Sequence, residues 1–234
     1  MIDRTIVAIG GGEMGRIKTL PDGSTVKTDI ETTLIDQFIV KATGKKHPKM
    51  LFIGTASGDD PVYLDMVKEH FINRIGCACV EPLNLIKEAP SFDEMKEKIF
   101  SNDIIYVGGG DTTMMLKVWK RTGVDKLLFE AYQKGIVLSG ISAGAICWFD
   151  YYDNMDDIDD IKQLDIVRGL SFLKGFAVPH YDELTKNERD KINQKLTEKG
   201  IKGRTIDNCV ALIFQNGKMS ILSCRPDRTS IQIP

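Results

Sequence analysis

The sequence predicts a three-layer α/β/α fold with a mostly parallel central sheet, and two observations carry that prediction. Short β-branched runs alternate with amphipathic stretches along the whole chain, the rhythm of parallel strands joined by helices that cover both faces of a sheet. Several amphipathic stretches also open on helix-start signals: Thr28 with Glu31 and Ser91 with Glu94 each have the capping-box spacing.

Strands are predicted at 4–10, 49–55, 77–83, 103–108, 135–140 and 175–180. Helices are predicted to start at Thr28, near Pro61 and at Ser91, and to cover 112–121, 124–134, 143–149 and 185–199. The last segment, RTIDNCVALIFQNGKMSILSC, reads as two strands around Asn216-Gly217, a pair suited to a tight hairpin at the sheet's edge. Residues 150–165 are acidic and without clean periodicity, as expected of an excursion at the surface. With 234 residues, 42% of them hydrophobic, and no repeat, low-complexity tract or linker, the chain is expected to form one domain, 1–234.

Composition narrows the function classes. Lys and Arg total 31 against 33 acidic residues, a net charge of −2, which leaves no basic field for nucleic acid or an anionic membrane. No apolar run reaches the length of a signal-peptide core or a membrane span. The five cysteines (Cys77, Cys79, Cys147, Cys209, Cys224) are scattered, odd in number and mostly set in apolar surroundings, the usage expected of reduced thiols in a cytoplasmic protein.

The stretch GIVLSGISAGAICWF, residues 135–149, carries the chemistry. Gly140, Ser142 and Gly144 fit G-x-S-x-G between a strand and a helix, the context in which that pattern marks a nucleophile on a sharp turn. Small neighbours let the chain turn there, the serine oxygen is presented at the carboxyl edge of the sheet, and the following helix directs amides and dipole toward it. A serine needs a base, and there are three histidines. His47 and His70 read as surface residues, in a charged turn and on a helix, whereas His180 ends the apolar run GFAVPH at another carboxyl strand edge, on the same rim if the sheet is parallel there. Backbone donors for an oxyanion are offered by Gly108-Gly109-Gly110, which follow a strand and precede Asp111 and Thr112; amides around Gly109 or Gly110, with that of Ala143, could hold a tetrahedral oxygen.

The elements GGGDTT, GISAGAICW and PHYDE, in that order, resemble the dipeptidase E and cyanophycinase family of serine peptidases, whose fold is similar to class I glutamine amidotransferases. The resemblance runs from IVAIGGGE through IDNCVALIF. It implies Ser142 as nucleophile, His180 as general base, the amides of Gly110 and Ala143 as oxyanion hole, and hydrolysis of short peptides through an acyl-enzyme. For the third member of the triad it offers Asn208, which stands where relatives often carry an acidic residue, then Asp157, and by analogy with the amidotransferases Asp182. Asparagine can orient an imidazole through its carbonyl oxygen but brings no charge.

Substrate contacts are expected from Gly109 and Asp111. If the substrate begins with aspartate, as the resemblance suggests, Arg168 or Arg16 would meet its carboxylate. The aspartates at 150, 153, 156, 157, 159 and 160 would oppose an acidic peptide, so short peptides are the broader expectation. No metal and no organic cofactor is implied, and the chain is expected to be a monomer or a homodimer.

Rival readings exist. Gly10, Gly12 and Gly15 form G-x-G-x-x-G after a strand, but Pro21-Asp22-Gly23 ends any helix that a dinucleotide site would need, so these glycines are expected to let a loop pass beside the active rim. A glutaminase would carry cysteine at the elbow. An α/β-hydrolase esterase would place its histidine nearer the C-terminus than His180. A relative that binds a small ligand or peptide without hydrolysing it is the non-enzymatic alternative.

Overall fold

The computed structural model describes residues 3–154 and 165–234. The chain begins with β1 (Thr5–Ile9), a small hairpin of β2 (Ile17–Thr19) and β3 (Thr25–Lys27), and α1 (Thr33–Ala42). It continues through β4 (Lys49–Ile53), α2 (Pro61–His70), β5 (Cys79–Pro82), α3 (Phe92–Phe100), β6 (Ile104–Val107), α4 (Thr112–Thr122) and α5 (Val124–Gln133). Then come β7 (Val137–Ile141), α6 (Ala143–Ile146), β8 (Phe149–Asn154), β9 (Asp165–Arg168), β10 (Leu173–Val178), α7 (Lys186–Lys199), β11 (Gly203–Thr205), β12 (Val210–Gln215), β13 (Lys218–Ser223) and β14 (Gln232–Ile233).

Seven strands make the main sheet, in the order β13-β12-β1-β7-β6-β4-β5. The five from β1 to β5 in that order pair in parallel, while β12 runs antiparallel to β1, and β13 to β12. All five residues of β1 and of β7 are buried, the continuous apolar run of strands covered on both faces. Ile6, Ala8, Leu51 and Ile105 pack on one side with Met95, Trp119 and Leu128 of α3, α4 and α5. Their neighbours Val7, Ile9, Met50 and Ile104 pack on the other with Ile35, Ile39 and Val67 of α1 and α2. The period of two in the strands therefore builds the three layers. The hairpin at Asn216-Gly217 forms as expected, with φ of 52° and 79° at its two central residues and β13 on the sheet's edge.

A second sheet departs from the expectation of one rim. Five strands, ordered β14-β11-β10-β8-β9, place 173–178 here rather than in the main sheet. Phe176, Val178 and Ile233 of this sheet pack on Ile192 and Leu196 of α7. Residue 149, expected at a helix end, and 150–154 with 165, expected in a surface excursion, instead lie in the antiparallel strands β8 and β9. The predicted helix 143–149 is correspondingly only the four residues of α6.

Of the two capping boxes read in the sequence, one forms and one does not. Ser91 and Glu94 form the expected reciprocal box, and Thr185 with Glu188 forms another. Thr28 does not begin a helix: its hydroxyl donates to Glu13, Glu31 accepts from the Glu13 amide and pairs with Arg225, and α1 opens five residues later at Thr33. Both members of the apparent box are held by partners distant in sequence. Among the described residues no helix is long and apolar enough to cross a membrane.

Candidate active site

Ser142 stands between β7 and α6 with φ 55° and ψ −116°, a backbone conformation that a non-glycine residue holds only when its surroundings enforce it. The enforcement is visible. The Ser142 amide donates to Ile9 O at 2.9 Å, which ties the turn to the end of β1. A Cβ at Gly140 would lie 2.2 Å from Gly144 O, and one at Gly144 would lie 2.2 Å from Val107 O, so the turn closes only because both flanking positions lack side chains. With α6 four residues long, the macrodipole expected behind the serine is small, and its amides matter more than its field.

His180 lies two residues beyond β10, with φ 49° and ψ 32°. It arrives from the second sheet, and its amide donates to Gly10 O at 3.3 Å across the junction. Its Nε2 is 2.9 Å from Ser142 Oγ and its Nδ1 is 2.7 Å from Asn208 Oδ1. Asn208 precedes β12, the neighbour of β1, so three separate crossings of the chain meet at the end of the first strand.

The orientation of the Asn208 side chain follows from its surroundings. Its Nδ2 donates to Asp182 Oδ2 at 3.2 Å and to Glu183 Oε1 at 2.7 Å, while its backbone amide donates to Asp182 Oδ1 at 2.7 Å. Two carboxylates on the nitrogen leave Oδ1 for His180, because a flipped amide would set oxygen against both anions. Oδ1 can only accept, so Nδ1 of the imidazole carries hydrogen and Nε2 is bare toward the serine, the tautomer that can receive a proton. Asp182, a candidate for contact with the imidazole, instead holds Asn208 and pairs with Arg228. Asp157 lies outside the described residues.

The glycine loop after β6 lies against the serine. A Cβ at Gly109 would be 3.3 Å from Ser142 Cβ. The Gly109 amide donates to Tyr63 Oη at 3.2 Å, and burial pushes the Tyr63 phenol above its ordinary pKa, which keeps it neutral. The amides of Gly110 and Ala143 donate to no acceptor among the described residues.

A cavity of about 730 Å³ opens beside these groups, bounded in part by Ser142, His180, Gly109, Gly110, Tyr63 and Arg16. Arg16 already pairs with Glu13 at 2.6 Å. Arg168 and Asp111 do not line it. Arg168 lies on β9 with its guanidinium over the Tyr151 ring, and Asp111 caps α4 by accepting from the Met114 amide at 2.8 Å. His70, expected at the surface, is 1% exposed: its Nε2 is 2.7 Å from Asp36 Oδ2, which also accepts from Thr32 Oγ1 at 2.7 Å. The apolar face of α2 turns inward at its last residue and carries the imidazole with it. His47 is exposed and bonded to Gly76 O.

The loop of Gly10, Gly11 and Gly12 passes beside the site and runs into the β2–β3 hairpin rather than a helix, so the dinucleotide arrangement is absent there. Gly11 went unremarked in the sequence, as did Tyr63 and Glu183. A Cβ on Gly11 would lie 2.0 Å from Asn208 Oδ1 and 2.4 Å from His180 Nδ1. The triple glycine was the available signal, since only a side-chain-free position tolerates such an approach.

The fold and this constellation define an α/β scaffold with a serine hydroxyl and an imidazole brought together where two sheets meet at the end of β1. The comparison with known families makes the assignment specific: the model of peptidase family S51 matches residues 20–222, and the chain belongs to that family and is a peptidase. It is 33% identical over 217 residues to the uncharacterized peptidase YgaJ of Bacillus subtilis strain 168, covering 92% of this chain and 85% of that one. A crystal structure of a peptidase from an acI-B1 Actinobacterium shares the fold with a TM-score of 0.70 at 17% identity, covering 98% of this chain and 94% of the other.

Proposed function

We propose that the protein is a serine peptidase of the dipeptidase E type that hydrolyses short peptides through an acyl-enzyme on Ser142. The observation that carries the reading is the hydrogen-bonded line Ser142–His180–Asn208, at 2.9 and 2.7 Å, with the asparagine amide held so that the bare imidazole nitrogen faces the hydroxyl. Nε2 takes the hydroxyl proton as Oγ bonds to the peptide carbonyl carbon, and the carbonyl electron pair moves onto oxygen beneath the amides of Gly110 and Ala143. The imidazolium then gives that proton to the leaving amine as the C–N bond breaks. Water, deprotonated by the same nitrogen, cleaves the ester, and its proton returns to Oγ.

A bounded cavity of about 730 Å³ suits a short peptide better than a folded chain. Aspartyl specificity has weaker support, because Arg16, the arginine beside Gly12 and Gly15, is already engaged by Glu13.

The test is hydrolysis of a dipeptide library by the purified protein, with Ser142→Ala as control and fluorophosphonate labelling of the wild type. Turnover and label should both vanish in the variant while its circular dichroism is unchanged. Wild-type turnover by Ser142→Ala, or a wild type that neither labels nor cleaves, overturns the reading.

A further inference from the structure

We propose that Glu183 supplies the negative charge that Asn208 cannot, and so acts as a positioning residue for His180 at the far end of the line Ser142–His180–Asn208–Glu183. The inference rests on the reading of the first three residues given above. A neutral amide can orient an imidazole, but once the imidazole takes the serine proton an anion nearby is worth more than a dipole.

Two carboxylates touch the Asn208 amide, and they are not equivalent. Asp182 is 11% exposed on its side chain and forms an ion pair with Arg228, so its charge is opposed by a cation. Glu183 accepts from Asn208 Nδ2 at 2.7 Å with Oε1, and its other oxygen lies 4.0 Å from His180 Nδ1. Among the described residues it has no other cationic group within 4.0 Å. Arg189, on α7, donates to the backbone oxygens of Tyr181 and Asp182. The placement is local in origin. His180 takes the left-handed conformation, a 3-10 turn follows over Tyr181–Glu183, and the Glu183 amide donates to His180 O at 3.0 Å. In such a turn, residues three apart are stacked on one side, which brings the carboxylate back over the ring.

Each carboxylate has its own task in this arrangement. Asp182, with Arg228 behind it, fixes the backbone and amide nitrogen of Asn208. Glu183 polarises the amide and faces the developing imidazolium through and around it.

The experiment is a set of three exchanges assayed with the best peptide from the library, with fluorophosphonate labelling in parallel. Glu183→Gln keeps a hydrogen-bond acceptor but removes the charge, and because the side chain is 67% exposed it leaves the unfolding midpoint in place. It should lower kcat about tenfold with KM unchanged, the scale seen when an outer partner of a reactive group is altered. Combining it with Asn208→Asp swaps amide and carboxylate: the glutamine nitrogen can donate to the new aspartate, whose other oxygen accepts from Nδ1. That double exchange should recover part of the lost kcat, because the new aspartate still meets Asp182, whose charge Arg228 offsets, whereas Asn208→Asp alone, set against both Asp182 and Glu183, should not. Wild-type kcat in Glu183→Gln, or a double exchange as slow as the single one, overturns the proposal. An unlabelled wild-type Ser142 overturns this and the parent reading together; a labelled Ser142 with an inert Glu183→Gln exchange overturns this one alone.

Discussion

Gly11 lies so close to His180 that a Cβ in its place would sit 2.4 Å from the ring and 2.0 Å from the Asn208 oxygen that the ring bonds. A separation that no real Cβ shows must be relieved by moving a ring, and the ring is the one aimed at Ser142. Gly11→Ala is therefore expected to cost about a hundredfold or more in kcat/KM, the price of misplacing a reacting group by about 1 Å. Kinetics of the purified variant decide it, and activity within twofold of wild type would remove Gly11 from the site.

Asn208→Ala leaves Nδ1 without its acceptor and frees the ring to turn. Loss of the orienting partner in a Ser-His pair has measured costs of up to about 10⁴-fold when that partner is charged. For the neutral amide here about a hundredfold in kcat is expected, with Asp157→Ala changing kcat far less. The reverse order would transfer the orienting role to the acidic stretch.

His70 and Asp36 form a pair with side chains 1% and 0% exposed. Removing one partner strands the other: His70→Leu is expected to lower unfolding stability by about 3 kcal/mol, while the double exchange Asp36→Leu/His70→Leu should recover much of that loss. Denaturant titration at neutral pH reads both. Equal losses in the single and double variants would mean that the cost is packing and not charge.

Alkylation separates this site from cysteine chemistry on a related scaffold. Burial pushes the Cys77 thiol up to about 12 and the Cys147 thiol well above its usual value, and it raises Cys209 and Cys224 as well. The thiolate is the reactive form, so a raised pKa leaves little of it at about pH 7.5. Iodoacetamide should leave peptidase activity intact under conditions where fluorophosphonate abolishes it. Inactivation by iodoacetamide that tracks modification of Cys147 would contradict this account.

The parallel core was legible because its signals are local. Strands buried on both faces read as apolar runs, the Ser91–Glu94 box is a contiguous pattern, and Asn216-Gly217 turns the final hairpin with the residues such a turn requires. Ser142 and His180 were legible for the same reason, each at the end of such a run. What escaped depends on partners far along the chain. Thr28 and Glu31 match a helix start, yet their oxygens answer to Glu13 and Arg225, so the local pattern lost to tertiary contacts. His70 looked polar and exposed because its partner Asp36 is 34 residues away. The second sheet was hidden because 149–154 follows so short a helix that nothing in the apolar pattern separates the two.

Hydroxyl and imidazole are carried by different sheets, joined near the reacting atoms by the bond from His180 N to Gly10 O. Turnover is therefore a gauge of how the two sheets abut. A solvent or temperature that loosens this seam by an ångström silences the enzyme while every strand is still paired, so inactivation should run ahead of any spectroscopic sign of melting.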